Sequence, residues 1–241
     1  MVWEKRGLYV TNTRINSKIF KIIMNLPKQL QCIIFDMDGV IIDSEEIHKK
    51  AYYETFISIG VDVSDQLYKT LTGSSTINAF QKLVSHFNLD LNPEELVLIK
   101  RAKYVNFFEN DPTIHLVKGV EEFIKHSFNK GYTLILASSS AMVNIDRVFN
   151  RFNLNSYFTA KISGADLKAS KPHPEIFEKA AILGKSLKEH CIVIEDSDNG
   201  VKSANDAGIF VVGYKNPLVE DQTLENADFI IESFDELKAY L

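Results

Sequence analysis

The sequence predicts an α/β fold: a parallel-sheet core covered by helices on both faces, with an α-helical domain inserted after the first strand. Three observations predict it. From residue 118 onward, short apolar runs alternate with segments whose apolar residues recur at helical spacing. Those runs are apolar throughout, as strands buried on both faces are. A further run of this kind, Cys32-Ile33-Ile34-Phe35, stands alone ahead of the series, and residues 44–117 in between hold helical patterns and no convincing strand.

Cys32–Phe35 reads as the first strand, leading into Asp36-Met37-Asp38-Gly39, where the glycine lets the backbone turn. Helices are predicted near Glu45–Ile59, Ser64–Leu71, Ser75–His86 and Pro93–Phe108. Lys118–Lys130 places Val120, Phe123, Ile124 and Phe128 on one helical face, and Gly131 stops it. Tyr132–Ala137 is the next strand and runs into Ser138-Ser139-Ser140; a helix over Met142–Phe152 and a short strand over Tyr157–Ser163 follow. Pro172 and Pro174 are expected to open a helix reaching Gly184, because proline suits a first turn. Cys191–Ile194, a helix over Asn199–Ala207 ended by Gly208, and strands at Ile209–Gly213 and Phe229–Ile231 complete the series. The domain reading is an N-terminal extension, 1–29, expected to be poorly ordered; a core of 30–43 and 118–241; and a helical lid, 44–117, over the sheet's carboxyl edge.

The chain has 241 residues, 45% hydrophobic and 24% charged, which suits one core with a sizeable insert. A net charge of −5 supplies no basic field for nucleic acid or an anionic membrane. No apolar run approaches the roughly 20 residues that span a bilayer. Residues 1–24 carry Lys5, Arg6, Arg14, Lys18 and Lys21 against Glu4, without the apolar segment of a secretory signal. Cys32 and Cys191 lie in apolar runs and are expected to stay reduced, as in a cytoplasm. A monomer or weak homo-oligomer is expected.

The chemistry sits at strand ends. Asp36 and Asp38 emerge from the first strand, and two like charges so close need a cation or proton between them. Ser138 follows the second strand, and its hydroxyl with nearby backbone N–H groups can bind a phosphoryl oxygen; Ser139 is beside it. Lys171 precedes the proline-opened helix, where an ammonium group and the helix dipole both favour an anion. Cys191–Ile194 ends in a second acidic pair, Glu195-Asp196. Together these supply hard oxygen ligands for Mg²⁺ and cationic and hydroxyl groups for a phosphate. Taken singly, Ser138 reads equally as a helix cap, Lys171 as a solvated charge and Glu195-Asp196 as a turn. All four at successive strand ends, in this order, are hard to obtain by chance.

Asp36-Met37-Asp38-Gly39-Val40, Ala137-Ser138-Ser139-Ser140, Ser170-Lys171-Pro172-His173-Pro174 and Glu195-Asp196-Ser197-Asp198-Asn199-Gly200 give the chain a resemblance to the haloacid dehalogenase superfamily, in its β-phosphoglucomutase-like group. The resemblance covers residues 31–241. It implies a Rossmann-like core with a helical cap inserted after the first motif. It also implies a Mg²⁺-dependent phosphatase acting on a small phosphorylated metabolite, expected to be a sugar phosphate. Carried over, Asp36 is the nucleophile that becomes an aspartyl-phosphate. Asp38 protonates the leaving oxygen and then deprotonates water. Ser138 and Lys171 steady the phosphoryl oxygens. Asp36, the backbone carbonyl of Asp38, and Asp196 hold Mg²⁺, with Glu195 close by or linked through water. Asp43 orders the turn into the cap or simply enters a helix.

Four rival readings stand beside the phosphatase. A dehalogenase needs no acid at Asp38, because a halide leaves without a proton. A β-phosphoglucomutase needs a cationic clamp for a second phosphate; the resemblance places an arginine after the motif Thr72-Gly73-Ser74-Ser75, and this chain has Thr76 there. His48 and Lys100 match, by resemblance, a histidine coupling cap closure to the second aspartate and a cap lysine contacting substrate. Both are also ordinary residues of amphipathic helices. A non-catalytic phosphate-binding protein on the same fold would not need the whole charge set. A phosphonate-cleaving enzyme would need Lys49 or Lys50 as a Schiff base, and nothing marks either.

Overall fold

The computed structural model describes residues 26–71, 75–216 and 222–241. Residues 1–25 of the expected extension, and Thr72-Gly73-Ser74 of the expected cap motif, lie outside the described residues. Six strands form one all-parallel sheet: β1 (Cys32–Phe35), β2 (Thr133–Ser138), β3 (Ala160–Ser163), β4 (Cys191–Glu195), β5 (Phe210–Tyr214) and β6 (Phe229–Ile231), in the order β3-β2-β1-β4-β5-β6. The order reverses direction between β1 and β4. In an open α/β sheet that is where a crevice forms outside the carboxyl ends of the strands.

Alternate residues of the strands serve opposite faces. Ile33, Phe35, Leu134, Leu136, Ile192 and Ile194 share one apolar cluster with α5 (Val120–Asn129), α6 (Met142–Arg151) and α9 (Phe234–Lys238). Cys32, Ile34, Ile135, Ala137, Cys191 and Val193 share the other with α7 (Glu175–Leu183) and α8 (Asp198–Ala207). This two-sided burial explains why the strand sequences are apolar without alternation. Both cysteines are buried free thiols.

Between β1 and α5 come α1 (Glu45–Ser58), α2 (Asp65–Leu71), α3 (Thr76–Phe87) and α4 (Pro93–Asn110). They enclose an apolar cluster of their own, centred on Tyr52, Phe56, Phe80, Leu83 and Leu96. The chain leaves and re-enters the sheet layer side by side: Ile42 bridges Leu116, the Val117 N–H donates to the Ile41 carbonyl at 2.9 Å, and the Asp43 N–H donates to the His115 carbonyl at 3.3 Å.

Local differences from the sequence reading have physical causes. α7 begins at Glu175, after Pro174, rather than at the first proline. β3 is limited to the four residues that pair with β2. The short α9 was not anticipated; a capping box, in which Ser233 and Glu236 satisfy each other's backbone N–H groups, starts it. Among the described residues no helix is long and apolar enough to cross a membrane.

Candidate active site

Register builds the site. Phe35 pairs with Ile194, and the Asp36 N–H donates to the Ile194 carbonyl at 3.0 Å, so Asp36 leaves β1 level with Glu195 at the end of β4. Asp36, Glu195 and Asp196 bring carboxylate oxygens within 4.8 Å of one another. Tight backbone makes this proximity feasible: a Cβ on Gly200 would lie 1.8 Å from Glu195 Oε1. Ser197 caps α8 and also fixes Glu195, its N–H and hydroxyl donating to Oε2 at 2.9 and 3.0 Å.

Lys171 reaches into this acidic group. Its Nζ donates to Asp36 Oδ1 at 2.6 Å, to Glu195 Oε1 at 2.7 Å and to the Ala137 carbonyl at 3.1 Å. The ammonium is therefore held by two carboxylates. Burial disfavours its charge, but Asp36 and Glu195 outweigh that and raise its pKa. Burial pushes Asp36 up to about 7, with Lys171 pulling down and Glu195 adding repulsion. Burial, then Glu195 and Asp36, raise Asp196 well above the ordinary carboxylate range. One ammonium does not neutralise three carboxylates, two of them buried and the third half-buried. The oxygen-only, carboxylate-rich donor set fits a hard divalent cation such as Mg²⁺.

The Asp38 side chain is outside that trio and faces the helical insert. Ser44 and Ser140 hydroxyls donate to it at 2.6 and 2.8 Å, and His48 Nε2 stands 3.3 Å from Oδ1. Burial works against its charge; the His48, Ser44 and Ser140 hydrogen bonds more than offset it and hold the carboxyl well below its usual range. Burial and then the Lys100 charge lower the pKa of His48. Neutral His48 accepts from Lys100 Nζ at Nδ1, 2.6 Å, and donates Nε2–H to Asp38.

Lys100 is only 3% exposed, and burial lowers its pKa to about 8. Its Nζ lies 4.7 Å from the centre of the Tyr52 ring, and Thr76 hydrogen-bonds the Tyr52 hydroxyl. Thr76 and Lys100 thus sit in a network inside the insert that ends on Asp38. Ser138 is buried at the end of β2, its Oγ accepting the Ser140 N–H at 3.0 Å, while Ser139 is exposed. Asp43 contributes its backbone to the crossing described above.

Ser44 and Ser140 are the residues that sequence reasoning missed around Asp38. Ser44 precedes α1 and looks like its cap, yet its side chain makes no capping bond. Ser140 stands last in a run of three serines, which marks none of them out.

Residues 33–214 match the protein family described as haloacid dehalogenase-like hydrolase. Hexitol phosphatase B of Escherichia coli K12 is 30% identical over 90% of this chain and 98% of its own length. A probable pseudouridine-5′-phosphatase of Drosophila melanogaster is 30% identical, over 88% of this chain and 93% of its own. The crystal structure of a β-phosphoglucomutase from Clostridium difficile superposes with a TM-score of 0.74 and 25% identity, covering 86% of this chain and 93% of that one.

Proposed function

This chain belongs to the haloacid dehalogenase-like hydrolase family, and we infer that it is a phosphoric monoester hydrolase, a Mg²⁺-dependent phosphatase acting on a small sugar phosphate through an aspartyl-phosphate. One observation carries the reading: Lys171 bridges Asp36 and Glu195 at the sheet's switch point, with Asp196 completing a carboxylate trio. Asp36, Glu195, Asp196 and the Asp38 backbone carbonyl would hold the cation. When bound, it neutralises the repulsion between an anionic nucleophile and an anionic ester.

The chain's own residues supply the rest. An Asp36 oxygen attacks phosphorus as the bond to the leaving alkoxide breaks, and Asp38 delivers the proton that alkoxide needs. Asp38 rests as the anion here, so an incoming phosphate dianion beside it must raise its proton affinity before it acts as an acid. In the second half, water attacks phosphorus, Asp38 takes its proton, and the bond to Asp36 breaks to release phosphate. Lys171 and Ser138 steady the phosphoryl oxygens, with Ser139 at the exposed rim. The helices 45–110 act as a cap that selects substrate, using His48, Lys100 and Thr76. Reduced cysteines fit a cytoplasmic protein.

A mutase remains the second reading because of the structural likeness to a β-phosphoglucomutase. Thr76 speaks against it, since a hydroxyl engaged with Tyr52 does not replace a bidentate guanidinium grip on a second phosphate. A panel of sugar phosphates and p-nitrophenyl phosphate, assayed with Mg²⁺ or with chelator, tests the proposal. Mg²⁺-dependent phosphate release that Asp36→Asn abolishes is expected; release that survives the substitution overturns it. Conversion of glucose 1-phosphate to glucose 6-phosphate faster than phosphate release, with a trace of the 1,6-bisphosphate present, would instead establish the mutase.

A further inference from the structure

Asp196 lies one residue past the end of β4, so the sheet alone does not fix its side chain. What holds it comes from 26 residues further along. The Gln222 carboxamide accepts the Asn216 backbone N–H at Oε1, 2.9 Å. Its Nε2 donates to the Asp196 carbonyl at 2.6 Å and reaches Asp196 Oδ2 at 3.3 Å. With Oε1 taken by a donor, the amide has one useful orientation, its NH₂ toward Asp196. Gly39, with φ +82°, also stands so close that a Cβ there would lie 2.0 Å from Asp196 Oδ2. The glycine's missing side chain and the clamped amide both bear on that one carboxylate oxygen.

We propose that Gln222 is a positioning residue for the cation site, orienting the Asp196 carboxylate by one oxygen and leaving its remaining lone pairs for the metal. The inference rests on the reading of Asp36, Glu195 and Asp196 as that site. An amide suits the task better than a charged donor. It favours the anionic carboxylate beside two like charges, and it brings no positive charge to compete with the cation. Partners that orient a metal ligand in this way are typically worth about 10- to 100-fold in affinity.

The test compares Gln222→Met, which keeps length and apolar bulk but cannot donate, with Gln222→Ala and Asp196→Asn. Mg²⁺ is titrated into each metal-free protein by calorimetry; kcat and KM for a phosphoester are measured at saturating Mg²⁺. Both Gln222 variants are expected to bind Mg²⁺ about tenfold or more weakly. KM for the ester should stay within about twofold of wild type, because the substrate groups are untouched. Unchanged Mg²⁺ affinity, even with a lowered melting temperature, would mean that Gln222 is merely structural and would overturn the proposal. If Asp196→Asn abolishes Mg²⁺ binding while both Gln222 variants retain it, the inference about Gln222 alone fails. If Asp196→Asn also binds Mg²⁺ like wild type, the cation-site reading falls and takes this inference with it.

Discussion

Two aspartates two residues apart have opposite surroundings, and that contrast organises the chemistry. Asp36 is pressed among carboxylates and steadied by Lys171; Asp38 is wrapped in donors from Ser44, Ser140 and His48. If Asp38 serves both half-reactions, Asp38→Asn should separate them. p-Nitrophenolate leaves without a proton, so the variant should release about one equivalent of it in a burst and then turn over slowly, whereas an alkyl sugar phosphate should show no burst. Stopped-flow absorbance checks this, and equal steady-state loss on both esters without a burst would contradict it. Asp36 makes a second prediction. Its pKa, raised to about 7 mainly by burial, means that the metal-free folded protein holds a proton that the unfolded chain has lost. Metal-free stability therefore falls as pH rises toward 7, and a cation must displace that proton below pH 7. The Mg²⁺-induced rise in Tm should shrink from pH 8 to pH 6. At this scale Asp36 and Asp38 were legible because they sit together in sequence. Ser140 and Gln222 were not, since each reaches its aspartate through the fold, Ser140 from 102 residues away; Ser44, six residues from Asp38, is masked by its place at the start of a helix.

Strands and helices set these distances. β1 and β4 run in register, so their ends deliver Asp36 and Glu195 side by side, and α8 starts so close that only glycine fits at position 200. Gly200→Ala should push Glu195 off Lys171. Overpacking of this kind costs about 1–3 kcal/mol, read as a lowered urea midpoint, and activity should fall along with it. The strands were readable from apolar runs because burial on both faces leaves no alternation to confuse. α9 was not, because five residues carry too little periodicity, and its signal lies in the Ser233–Glu236 box instead. α7 starts later than expected because proline marks a first turn without saying which of two prolines begins it.

As a whole, the molecule has an apolar cluster in the helical insert separate from the two that sandwich the sheet. Phe80, fully buried in that cluster, tests whether the insert selects substrate. Phe80→Ala should cost about 3–5 kcal/mol in the insert and reduce kcat/KM for a sugar phosphate more than for p-nitrophenyl phosphate, which needs few cap contacts. Equal losses would deny the insert that role. The run of four helices between β1 and α5 could be read from where the strands stop and resume, whereas the network from Thr76 through Tyr52, Lys100 and His48 to Asp38 required three dimensions. The most direct test of the central claim is a rapid acid quench of the enzyme during turnover with Mg²⁺ and a sugar phosphate, followed by peptide mass spectrometry. One added PO₃ group on the peptide carrying Asp36, absent from Asp36→Asn, is the predicted result; an unmodified Asp36 peptide during active turnover, with phosphate on another residue, would contradict it.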